Sequence, residues 1–241
     1  MSDTTIVIPV LDEASTLPAL VPVLQTLDPQ PAEILVVDGG SKDATCDIVR
    51  AAGWRLIVCV KGRATQINEG VAAAIGTNVC VLHADTIPPK DMIAVIEDTM
   101  ADRKVALASF MPIIRGPEKT RWGTTFHNFI KTWYAPAIMR PLLFLRGVRL
   151  LFGDHAMFFR KADFLTVGGC DPGTPVMEEA DLCITLARLG KVKLVRRAVY
   201  TSDRRIAAWG PLKANWIYLK MGVMWCFGAR KRLGKDYPDI R

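Results

Sequence analysis

Acidic residues recur in this chain directly after short apolar runs. Asp12-Glu13 follows Ile6-Val-Ile-Pro-Val-Leu11, and Asp38 closes Ile34-Leu-Val-Val37 and leads into Gly39-Gly-Ser-Lys-Asp43. His83-Ala-Asp85 follows Val79-Cys-Val-Leu82. Taken singly, each carboxylate reads as a helix cap or first-turn residue favoured by the helix dipole, and for Asp43 that reading is the stronger one. Three such ends together ask for more. Clustered carboxylates repel one another unless a cation or a ligand's donors compensate them.

The elements that must bring these residues together alternate in type. Strands are expected at Thr5–Leu11, Glu33–Asp38, Arg55–Val60, Asn78–His83 and Lys104–Phe110. Helical patterns fill Glu13–Leu27, Asp43–Ala52, Ala64–Gly76 and the segment from Pro88 to about Met100. Strands separated by helices imply βαβ units and a mostly parallel sheet. Right-handed crossovers then place every strand's C-terminal end on one edge, where open α/β sheets bind ligands. The three acidic ends share that edge. No Gly-x-Gly-x-x-Gly follows the first strand and no Gly-x4-Gly-Lys-Ser/Thr occurs, so neither a dinucleotide fingerprint nor a phosphate loop is present.

The composition fits a globular enzyme. The chain has 241 residues, 50% hydrophobic and 23% charged, which excludes disorder. Its longest uncharged stretch, Gly70 to Ala84, is 15 residues and too short to span a bilayer. No basic region precedes the first strand, so a secretory leader is not expected. The six cysteines, at positions 46, 59, 80, 170, 183 and 226, form no Cys-x-x-Cys pair and read as reduced thiols in a cytoplasmic protein without a zinc site. The net charge of +7 is uneven: Ile184 to the end carries 14 Lys/Arg and three Asp/Glu, a net of +11, which leaves −4 on the first 183 residues. A basic tail on an acidic body points to an anionic surface partner.

The motifs Ile8-Pro-Val-Leu-Asp-Glu13, Val36-Val-Asp-Gly-Gly-Ser-Lys-Asp-Ala-Thr45, Gly62-Arg-Ala-Thr-Gln-Ile-Asn-Glu-Gly70 and Leu82-His-Ala-Asp-Thr86 resemble the family 2 glycosyltransferases with a GT-A fold. Phe152-Gly-Asp-His-Ala-Met-Phe158, Met177-Glu-Glu-Ala-Asp-Leu182 and Thr201-Ser-Asp-Arg-Arg205 resemble a small bacterial branch of that family. Seven motifs in order, from about residue 5 to 205, carry the resemblance. It implies an α/β GT-A fold, with a mostly parallel Rossmann-like sheet flanked by helices. It also implies a domain over residues 1–205, with a nucleotide-binding half (1–110) and an acceptor half (111–205); the charge and aromatic pattern beyond it reads as a basic amphipathic helical segment over 206–241.

The resemblance also implies roles. Pro9, Glu13 and Asp38 would hold the base of a nucleoside diphosphate sugar, with UDP favoured because uracil's N–H suits a carboxylate. Arg63 would meet the diphosphate, a role that guanidinium geometry suits. Asp85, the second acid of an altered Asp-x-Asp motif, would hold Mg²⁺ or Mn²⁺ between the phosphates; His83 takes the first position, as a ligand, a ribose contact or a spacer. His155 is a second candidate metal ligand. Gly153, Asp154, Glu178 and Asp181 fall on the acceptor side. Glu179 would be the base of an inverting transfer, taking the proton of the acceptor hydroxyl.

Basic and aromatic residues interleave in two later segments, 115–152 and 212–232, the second holding Trp216, Tyr218, Trp225 and Phe227. That mixture suits an interfacial amphipathic helix at an anionic membrane, and equally a helix packed on the sheet with solvated Lys/Arg ends. Nucleic acid is disfavoured as a partner, because no recognition motif accompanies the charge. The expected activity is metal-dependent, inverting sugar transfer to a lipid-linked or membrane-proximal hydroxyl, at the inner face of the cell membrane. Two alternatives compete: a sugar nucleotidyltransferase, whose Gly-rich phosphate loop Leu11-Asp-Glu-Ala-Ser15 lacks, and a non-catalytic nucleotide-sugar binder or membrane-docking module.

Overall fold

The computed structural model describes residues 2–139, 141–145, 147–151, 155–174 and 176–226. The first half is a parallel β/α array. β1 (Thr4–Val10) pairs in parallel with β2 (Glu33–Asp38) on one side and β4 (Asn78–Val81) on the other, and β2 pairs with β3 (Arg55–Val58). Between them run α1 (Leu17–Gln25), α2 (Thr45–Ala51) and α3 (Arg63–Ala73). After β4 come β5 (Thr86–Ile87), α4 (Met92–Ala101) and β6 (Val105–Arg115). The second half contributes α5 (Trp122–Met139), α6 (Pro141–Leu145), β7 (Met157–Arg160), α7 (Lys161–Thr166), α8 (Glu178–Leu186), β8 (Lys191–Ser202), α9 (Arg204–Trp209) and α10 (Pro211–Cys226). The sheet order is β3-β2-β1-β4-β7-β6-β8-β5.

The period-two alternation of β1 decides the layering. Val7 enters one core with Leu35, Val37 and Ile67, whereas Ile6, Ile8 and Val10 enter the other with Leu20, Leu24 and Ile96. Both faces are therefore covered, which is why β1 and β2 read as nearly unbroken apolar runs. Helix α3 lies close on the sheet at Gly70, where a Cβ would run into Val7. Strand order reverses at β1, with β2 to one side and β4 to the other, so the crevice at their C-terminal ends is the expected ligand site.

Several expectations need correction. The fourth strand stops at Val81, and His83 and Asp85 lie in the turn that leads to β5. Helix α1 begins at Leu17 rather than Glu13, because Asp12 takes a positive φ and Pro18 fixes the first helical turn. The strand expected over Lys104–Phe110 is β6, and it runs on to Arg115. Three strands, β5, β7 and β8, lie where the sequence pattern indicates none; β7 pairs antiparallel with both β4 and β6. β8 alternates exposed and buried residues over much of its length, with an irregularity at Arg196-Arg197, and its Lys and Arg are all exposed, so its charge hides it. Helix α10 packs on the domain, since Met221 and Trp225 belong to the main core. Of the four aromatics expected at a membrane, Trp216 is exposed, Trp225 is buried, Tyr218 packs near Trp209, and Phe227 lies outside the described residues. Among the described residues no helix is long and apolar enough to cross a membrane.

Candidate active site

A cleft of about 570 Å³ opens at the C-terminal ends of β1 and β4, within the usual range for a small-molecule site. Its floor is Pro9 with the turn His83-Ala84-Asp85. Arg63, Glu13, Glu179, Arg204 and Arg205 give it one charged end. On the α5 and α10 side the lining is mixed: His127, Lys131 and Asn215 stand among Tyr134, Trp216, Leu219 and Met221.

The motif containing Arg63 is a set of clamps. The Gln66 side-chain amide donates to the carbonyls of Val10 (2.7 Å) and Val37 (2.8 Å), tying the ends of β1 and β2 together. Asn68 exchanges two hydrogen bonds with the backbone of Cys170, at 2.8 and 2.9 Å. Cys170 precedes the loop that leads into α8, so Asn68 sets where Glu178 and Glu179 arrive. Arg63 then stands 3.7 Å from each of those carboxylates, and His83 Nε2 lies 3.9 Å from Glu179.

The two glutamates differ. Glu179 lines the cleft, whereas Glu178 sits behind it at 2% exposure. Burial first, and the charge of Glu179 second, push the Glu178 carboxyl well above the ordinary glutamate range. Burial, together with the cations Arg63, Arg205 and Arg204, keeps His83 well below the ordinary histidine range, and it is neutral in this site. The third acid, Asp181, accepts a hydrogen bond from Trp225 Nε1 at 3.1 Å and so anchors α10.

A second constellation forms around Asp85. The short β5 pairs with the end of β8, Thr86 opposite Thr201, and the Ser202 N–H donates to the Asp85 carbonyl at 3.2 Å. This zipper brings α9 to the site, and Arg204 reaches both Glu13 and Asp85. Its terminal nitrogens fork onto the two Glu13 oxygens at 2.9 and 3.0 Å, and its Nε stands 3.3 Å from Asp85. Glu13 also accepts from Thr16 Oγ1 at 2.7 Å. Burial raises the Asp85 carboxyl above the ordinary aspartate value, opposed chiefly by Arg204.

The sequence-derived residues do not all converge. Pro9, Glu13, Arg63, Asp85 and Glu179 meet in the cleft. Asp38 does not line it; at 1% exposure its oxygens accept from the backbone N–H groups of Gly40 (2.9 Å) and Ser41 (3.0 Å) and from the Ser41 hydroxyl, which shapes the β2–α2 turn. His155 is fully buried and also off the lining. Gly153 and Asp154 lie outside the described residues. Arg204 and Arg205 belong to the last of the seven motifs, yet the sequence reading gives them no role. The signal that finds them is the strand-end rule applied to β8, and β8 is the strand whose pattern is hidden.

As for a metal, among the described residues no group of three or more His, Cys, Asp or Glu side chains is placed to hold one. Asp85 nevertheless presents a single hard, desolvated oxygen donor at the charged end. Mg²⁺ commonly binds through one or two carboxylates with substrate phosphates and waters completing its shell, so the donor set fits an ion that arrives with a diphosphate.

Comparison with known proteins agrees with this geometry. Proteins named PGL/p-HBAD biosynthesis glycosyltransferase, from Mycobacterium bovis and Mycobacterium tuberculosis, are 28% identical over 172 residues, covering 68% of this chain and 61% of theirs. The chain therefore spans less than two thirds of the length of these curated relatives. Glucosyl-3-phosphoglycerate synthase from M. tuberculosis superposes with a TM-score of 0.65 at 18% identity, over 94% of this chain and 80% of that one. A mannosyltransferase from Pyrobaculum calidifontis, in complex with GDP-Man and Mn²⁺, gives 0.66 at 20% identity, over 96% and 64%. These likenesses establish a shared GT-A fold. The model of the family described as Glycosyl transferase family 2 matches residues 5–165, well over half the sequence, and the chain belongs to that family.

Proposed function

We propose that this protein transfers a sugar from a nucleoside diphosphate sugar to the hydroxyl of an apolar or lipid-linked acceptor, with inversion at the anomeric carbon. The observation that carries the reading is the make-up of one cleft: Asp85, Arg63 and Arg204 with Glu179 of α8 on its charged side, and a mixed aromatic and polar wall from α5 and α10. The guanidinium groups suit a diphosphate. Asp85 would hold Mg²⁺ or Mn²⁺, which, when bound, neutralises charge on the leaving diphosphate. Glu179 takes the acceptor hydroxyl's proton as its oxygen bonds to the anomeric carbon, and the bond from that carbon to the diphosphate oxygen breaks on the opposite face. The electron pair leaves with the nucleoside diphosphate. Relatives solved with UDP, UDP-Glc or GDP-Man support a nucleotide-sugar donor, and a uridine donor is the one favoured here.

The test is a transfer assay with α-linked UDP- and GDP-sugars, Mn²⁺ and an aryl or alkyl alcohol, the product's anomeric proton being read by NMR. A β-linked product is expected. An α-linked product would contradict inversion. Binding of donor with neither transfer nor donor hydrolysis would favour a non-catalytic binder.

The α5 and α10 side also bears on location. Trp122 and Phe126 on α5, with Leu212 and Trp216 on α10, are each more than 60% exposed, and Lys213 lies in the same α10 segment. Such a surface suits docking on an anionic lipid membrane, the place where a lipid-linked acceptor is presented. Co-sedimentation with vesicles containing anionic lipid is expected at low salt, with a bound fraction that high salt does not remove. Absence of binding at low salt would refute this docking.

A further inference from the structure

We propose that Arg204 is the built-in counter-cation of Asp85 and competes with the divalent ion for it. This rests on the reading of Asp85 as the metal-binding residue.

Glu13 and Asp85 converge from two different strand ends, and a single guanidinium compensates both. The two contacts are unequal. The fork onto Glu13 is short and bidentate, the strong geometry for an Arg–carboxylate pair. The Nε contact with Asp85 is longer, 3.3 Å, and uses the remaining edge of the same group. A divalent ion can therefore take Asp85 without breaking the fork. Arg204 is also prevented from leaving. The β5–β8 pairing fixes its backbone beside Asp85, and Arg121 Nε holds the preceding Asp203 at 2.7 Å. Asp203 is 3% exposed and packed so closely on Gly116 that a Cβ there would collide with it.

Two consequences follow. In the empty cleft Arg204 lowers the affinity of Asp85 for free cations, because a fixed positive charge faces the ion's place. Once a diphosphate arrives, its negative charge satisfies ion and guanidinium together. Ion and donor then favour each other's binding, a coupling that is reciprocal by thermodynamic necessity. Arg204 thus makes metal uptake conditional on donor.

The test is Mn²⁺ binding to the nucleotide-free protein, followed by the loss of the free-ion electron paramagnetic resonance signal. Arg204→Met keeps length and removes charge, and it is expected to bind Mn²⁺ at least tenfold more tightly than wild type. Equal or weaker binding by Arg204→Met would overturn the proposal. Asp85→Asn separates the two claims. If it leaves Mn²⁺ affinity unchanged, both the metal assignment and the competition fail; if it weakens binding while Arg204→Met does nothing, only the competition fails. Should Arg204→Met not fold, a Mn²⁺-soaked wild-type crystal decides the same question. The ion on Asp85, with the Nε contact broken and the Glu13 fork kept, supports competition. The ion on Asp85 with that contact intact overturns it, as does no ion there when UDP is soaked in together with the Mn²⁺.

Discussion

Glu179→Gln is expected to lower the transfer rate by about 10²–10⁴-fold while leaving donor affinity near the wild-type value. The substitution keeps shape and hydrogen bonding and removes only the ability to accept a proton. Glu179 is the member of its pair that faces the cleft, next to His83 and Arg63. Both neighbours remain after the change, so the donor's surroundings are little altered. The adjacent Glu178→Gln gives the contrast. Glu178 does not line the cleft, and glutamine keeps its shape and hydrogen bonding there, so near-normal turnover is expected. Single-turnover kinetics on both variants check the pair. An active Glu179→Gln beside an inactive Glu178→Gln would transfer the base role to Glu178.

Asp85→Asn is expected to weaken Mn²⁺-supported donor binding by about 10²-fold or more, the scale of a metal's charge stabilisation. Asparagine is nearly isosteric, so the turn from His83 to Thr86 should persist. What disappears is the hard anionic ligand and one of the two carboxylates that Arg204 compensates. The remaining cations, Arg63, Arg204 and Arg205, still offer a weak metal-independent site for the diphosphate. Titration calorimetry with a UDP-sugar and Mn²⁺ measures the loss. Unchanged affinity with unchanged metal dependence would remove Asp85 from the metal site.

The elements legible from sequence are those whose burial is simple. β1 and β2 are covered on both faces, and their apolar runs announce them. The strand-end rule then places Glu13 and Asp85 on one edge from the sequence alone. β8 escapes because its Lys191, Lys193, Arg196 and Arg197 are all exposed and look like part of a basic tail. Losing β8 also loses Arg204, since its approach to Asp85 depends on a pairing with β5 across 115 residues of sequence. Trp225 shows the limit of composition. Its type groups it with membrane-facing aromatics, yet its indole N–H finds Asp181, and the pair locks α10 against α8. Asp38 shows what the sequence leaves unseen. The residue stands at the strand end where the resemblance puts it, but its oxygens serve the Gly39–Ser41 turn. Gln66 and Asn68 read from the sequence only as companions of Arg63; their work as backbone clamps needs the partners Val10, Val37 and Cys170 to be seen.

The proposed activity requires this cleft to bind a nucleotide sugar together with a divalent ion. Titrating wild-type protein with a panel of UDP- and GDP-sugars, once with Mn²⁺ and once with a chelator, tests it most directly. Saturable binding of at least one sugar nucleotide in Mn²⁺, weakened strongly by the chelator, is the predicted result. Equal affinity in both buffers, or no binding of any nucleoside diphosphate sugar, would contradict it.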